Sequence, residues 1–103
     1  MRRFATVLAA CAAFGVLAAQ AATTHTGWIS DSMCGAKHMG TGAECVRSCI
    51  KNGMKPVFVD TNKKVWAIDN PNAVRDFYGD HVKVSGTEHA NNSVHVDSIS
   101  AVK

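Results

Sequence analysis

Cys34, His38, Cys45 and Cys49 place three thiols and one imidazole within 16 residues. Two chemistries suit that set. In an oxidising compartment, Cys34 would pair with Cys45 or Cys49, leaving one thiol over. Such a bridge closes a loop of about 11 to 15 residues, worth roughly 3 kcal/mol in the chain-entropy model. Cys45 with Cys49 is the poorer pair, because side chains four apart on a helix tilt the same way along its axis. The alternative is a metal. Cys45 and Cys49, one helical turn apart, present both sulfurs to one ion, and the glycine-rich stretch bearing Cys34 and His38 can fold over it. Zinc accepts that tetrahedral set. Copper(I) accepts the soft thiolates, with Met33 and Met39 nearby. A sulfur bonded to sulfur is no longer a ligand, so the two readings exclude each other. A third reading is a thiol redox partner, although no C-x-x-C opens a helix here.

Little else in the sequence carries chemistry. Asp31 and Ser32 lie beside Cys34 but complete no catalytic constellation. Nucleophile motifs, phosphate loops and metal-hydrolase helices do not occur, so no catalytic residue is assigned and no enzyme is predicted. No cofactor is called for except zinc or copper at the cysteine–histidine set. Trp28 and Trp66 read as plugs of a small core in preference to a stacking platform. His81, His89 and His95 lie on or beside strands and read as exposed. His25 would join Thr23 and Thr24 in an amino-terminal copper triplet only if cleavage followed Ala22, which puts Gln20 at an unfavourable position.

The first 21 residues have another purpose. Arg2 and Arg3 precede an uncharged run from Phe4 to Ala19, and Ala19-Gln20-Ala21 fits signal peptidase. The run is shorter than the roughly 20 residues a transmembrane helix needs. Residues 1–21 are therefore predicted to be a cleavable signal peptide, and the protein to be periplasmic or secreted, with no membrane span after cleavage. Leu8-Ala9-Ala10-Cys11 fits a lipoprotein box, but the apolar core before Cys11 is short. Without Arg2 and Arg3, nine basic residues face eight acidic ones. That balance leaves no basic patch and no nucleic-acid partner.

The 82 residues after the leader must position the cysteines. Residues 22–26 are small and polar and read as a flexible leader, with a single domain over 27–103. Gly27–Asp31 is predicted as the first strand. Thr41 and Glu44 have capping-box spacing, opening a helix that Asn52 and Gly53 end. Period-two patterns then give strands around Val57–Val59, Val65–Ile68, Val82–Val84 and Val94–Val96. Asn70-Pro71 starts a second short helix, ended by Gly79. The helices are expected near 42–52 and 71–78. The predicted buried set is Ile29, Val46, Ile50, Val57, Val59, Val74, Phe77, Val82, Val84, Val94 and Val96. Apart from the cysteine-bearing insert between strands one and two, this is the element order of the OB-fold, a mainly β, five-stranded barrel with a helix between strands three and four.

Three passages carry a resemblance: G-W-I-S-D-S-M-C-G-A-K-H (27–38), E-C-V-R-S-C-I-K-N-G (44–53) and H-V-K-V-S-G-T (81–87). Together they resemble small exported bacterial proteins grouped as a domain of unknown function. In those proteins a C-G-x-x-H segment precedes a C-x-x-x-C helix, and an OB-like barrel follows. The resemblance implies fold and export and no activity. The sequence thus predicts a non-enzymatic, exported binding or interaction module with a disulfide-stapled insert. Its partner would be a ligand or protein in the periplasm, and metal binding is the alternative function.

Overall fold

A computed structural model describes residues 23–38 and 42–102 of the chain, the side chain of His38 excepted. The predicted signal peptide, the Cys11 lipoprotein box, Met39 and the Thr41 cap lie outside the described residues. Five strands make up nearly half of what is described: β1 (Thr23–Asp31), β2 (Pro56–Asp60), β3 (Val65–Ile68), β4 (His81–His89) and β5 (Ser93–Ala101). One α-helix, α1 (Ala43–Lys51), lies between β1 and β2, and a 3-10 helix over Pro71–Phe77 lies between β3 and β4. No helix among the described residues is long and apolar enough to cross a membrane.

The strands close into a ring in the order β1-β2-β3-β5-β4. All neighbours are antiparallel except β3 and β5, which run parallel over only two residue pairs, Ala67 with Ser93 and Ile68 with Val94. β1 serves two partners. Its first half, Thr23 to Trp28, pairs with β4, and its second half, Gly27 to Asp31, pairs with β2. The strand therefore begins four residues before the predicted Gly27. From Thr23 onward the expected flexible leader is strand, because β4 offers these residues a complete ladder. Gly27 sits where β1 changes partner, and a side chain there would collide with the Val59 carbonyl and the Phe58 ring.

Ile29, Phe58, Val74, Val82, Val84, Val94 and Val96 fill the ring, with Trp66, Ile68, Phe77 and Tyr78 packed against them. Ile50 and Phe77, expected to be buried, are only partly so. Phe58 was not expected and is 3 % exposed. The cause is that β2 is buried on both faces. Phe58 points into the ring. Val57 and Val59 alternate with it and are buried too, on the side where the insert packs against β1 and β2.

Two devices hold the insert down. Val46 is the buried residue of α1. Gly79, with φ +83, brings its backbone against the first turn of the helix, so that a Cβ would lie 2.7 Å from Ala43 Cα. The N-cap is Gly42 in the left-handed region, without a side-chain cap bond. Glu44 is thus the second helical residue, one place short of its capping-box role. The C-terminus ends as predicted. Gly53 N–H donates to Ile50 O, and Met54 N–H to Cys49 O, at 3.0 Å each. With Gly53 at φ +106, this is a Schellman stop.

Candidate functional site

Where β1 leaves the ring, Asp31 turns the chain. Its Oδ1 accepts the backbone N–H of Met33 at 3.0 Å and of Cys34 at 2.9 Å. A 3-10 turn over Gly35–His38 follows, held by Ser30 Oγ donating to Gly35 O at 2.7 Å. These bonds fix Cys34 at the mouth of the insert. α1 supplies the other two cysteines, half-buried Cys49 and exposed Cys45, one turn apart.

All three sulfurs lie within 4.8 Å of one another. Among the described residues this is the one group of three or more His, Cys, Asp or Glu side chains so close together. The predicted bridge from Cys34 to Cys45 or Cys49 is not formed, and all three are free thiols. The three sulfurs instead form a triangle, each within 4.8 Å of the other two. His38 ends the 3-10 turn four residues after Cys34, and its side chain lies outside the described residues.

Desolvation, and then the negative charge of Asp31, push the Cys34 thiol up to about 11. The same two causes raise Cys49. At neutral pH Cys34 is therefore a thiol, a poor nucleophile. A cation entering the triangle must displace protons, and its charge then offsets the cost of the thiolates. That chemistry suits metal ligation better than thiol attack.

The aspartate set aside in the sequence proves central to the site. Asp31 is fully buried, and its Oδ2 has no hydrogen-bond partner. The D-S-M-C order carried a hint, since aspartate accepts N–H groups two and three residues ahead in such turns.

The other candidates fall elsewhere. His25 pairs with Glu88 at 2.7 Å at the opposite end of β1. Asp69 lies between His95, at 2.7 Å, and His89, at 3.2 Å. His95 and His89 are exposed as predicted, whereas His81 is half-buried and stacks on Trp28 with centroids 4.4 Å apart. Trp66 lies against the core and donates to Asp60. A cavity lined by His25, Phe58, Trp66, Val84, Glu88 and Val94 measures about 10 Å³, room for about one water.

No curated protein and no solved structure is significantly similar to the chain. A family model does match, over residues 50–102. It covers β2 to β5 and leaves β1 and all three clustered cysteines, Cys34, Cys45 and Cys49, outside. Because that match takes in half of the sequence, the chain belongs to the family described as protein of unknown function (DUF5818).

Proposed function

We propose that this is an exported, non-enzymatic metal-binding protein. An OB-like barrel carries an insert that holds one thiophilic cation, zinc or copper(I), between Cys34, Cys45 and Cys49. The observation that carries the reading is the convergence of three sulfurs from a turn and a helix to within 4.8 Å. Three thiolates suit copper(I) as they stand, and suit zinc with a fourth ligand, a role this reading gives to His38. The OB-like assignment is supported by the ring order β1-β2-β3-β5-β4 with a short helix between β3 and β4. Export is supported by the composition of residues 1–21. The ring's own cavity, with room for about one water, makes a poor ligand site.

The test is to express the full chain and recover the exported protein. Native and denatured intact mass, with and without thiol alkylation, gives the amino terminus, the metal content and the free thiols. We expect an amino terminus at Ala22, one metal ion per chain, and three thiols that become alkylatable on denaturation. A chelator should lower the melting temperature and a reductant should not. Sensitivity to reductant with indifference to chelator would instead establish the disulfide-stapled module. Replacing Cys34, Cys45 or Cys49 by serine should abolish stoichiometric metal, and His38→Ala should weaken zinc.

A further inference from the structure

β1 and β2 each end in a buried aspartate, and the two are used differently. Asp60 employs both oxygens: Oδ1 accepts N–H groups from Asn62 and Lys64, and Oδ2 accepts the Trp66 indole N–H. Asp31 employs one. Its Oδ1 is occupied by Met33 and Cys34, while Oδ2 is shut away from solvent without a donor. A buried carboxylate oxygen left unpaired is costly, and buried charges are found paired or beside metals. None of the ion pairs among the described residues involves Asp31. Its charge is felt instead at the thiols of Cys34 and Cys49.

Resting on the metal-binding reading, we infer that Asp31 makes the three-cysteine site favour a divalent cation over a monovalent one. The carboxylate lies outside the group of ligand atoms within 4.8 Å of one another, so it acts through its charge and not as a ligand. Its position is not free to drift, because Oδ1 is tied to the backbone of Cys34 itself. Coulomb attraction scales with the charge of the cation, so a fixed carboxylate favours Zn²⁺ twice as strongly as Cu⁺ in energy. Three thiolates and Asp31 together carry four negative charges. A divalent ion leaves two of them uncompensated and a monovalent ion leaves three. Asp31 is thus a selectivity-determining residue that touches its ligand set through one backbone bond.

The experiment uses the full chain, reduced and anaerobic, titrated with Zn²⁺ alone and with Cu⁺ alone against chromophoric chelators. Asp31→Asn keeps the Oδ1 acceptor and removes the charge. It should weaken Zn²⁺ by about 10- to 100-fold, the usual range for groups just behind metal ligands, and Cu⁺ by about the square root of that factor. The preference for zinc should therefore fall several-fold. A merely structural role would weaken both ions alike, and an unchanged ratio overturns the inference. The Co²⁺-loaded proteins should share the same d–d bands, and shifted bands in Asp31→Asn would overturn it by making Asp31 a ligand. Should Asp31→Asn not fold, Asp31→Glu and Asp31→Gln give the same comparison at equal size, the first keeping the ratio and the second losing it. Wild-type protein that binds neither ion overturns the underlying metal reading and this inference with it.

Discussion

Asp60 shows what one residue does for the hairpin between β2 and β3. Burial opposes its charge, yet the Trp66 indole N–H and the backbone N–H groups of Lys64 and Asn62 together hold its carboxyl below the usual range. Lys63, at φ +65, is thereby held in a conformation that few side chains adopt. Lys64 covers the Trp66 ring, with Nζ 4.1 Å from its centroid. A carboxyl with a lowered folded-state pKa stabilises the fold above its unfolded value, near 4, and that contribution is lost as pH falls through the folded value. We expect the melting temperature of the wild type to drop between pH 5 and pH 2, about the region where carboxyls titrate, with a shallower drop in Asp60→Asn. Asp60→Ala should cost about 2–3 kcal/mol at neutral pH by denaturant unfolding, from the loss of charge-assisted hydrogen bonds. At this scale the sequence was only partly legible. Cysteine spacing revealed the site because a thiol's chemistry belongs to its residue type. Asp31 and Asp60 were opaque because an aspartate's role depends on burial and on which N–H groups reach it.

Among the elements, the seam between β3 and β5 is the weakest joint of the ring. After its two residue pairs, Asp69 N–H donates to Val94 O at 3.0 Å, and then the strand is gone. Asn70 takes its place. Its Oδ1 accepts the Val96 N–H at 2.9 Å, and its Nδ2 donates to Val96 O at 2.8 Å. The side chain thus presents β5 with the donor and acceptor that another strand residue would offer. The sequence predicts a helix cap from Asn70-Pro71, and a 3-10 helix does begin there, but the side chain makes no cap bond. Propensity placed the element correctly, while tertiary pairing redirected the amide. Asn70→Ala should cost about 1–3 kcal/mol, since two half-buried backbone groups lose their partner. Asn70→Asp should cost at least as much, because a carboxylate would face the Val96 carbonyl. Hydrogen exchange at Val96 should accelerate in both variants while exchange along β1 and β4 changes less. Uniform acceleration would show that Asn70 supports the whole ring and not this seam.

For the whole molecule, the order of elements was readable from hydrophobic period and turn residues, and the ring's neighbours were not. Nothing in residues 23–26 announces a strand, since Thr23, Thr24, His25 and Thr26 lack an apolar face. They are strand because β4 lies alongside, and that fact is stored some 60 residues away. β2 likewise hid its second buried face, because period-two reasoning assumes water on one side. The β1–β4 seam bears on the order in which the molecule assembles. His25 meets Glu88 across a separation of 63 residues, whereas the thiol cluster is complete within 16. Distant strand pairings close slowly, on the order of milliseconds to seconds, because loop entropy is lost before contacts repay it. Trp28, stacked on His81 at that seam, reports its closure. In Trp66→Phe protein refolded with Zn²⁺, the thiols should become protected from pulsed alkylation before Trp28 fluorescence reaches its native value. Simultaneous change would tie the two events together. If the thiols come first, a cation can be captured by the early part of the chain while the ring is still open, and the ring then closes beside a site already loaded.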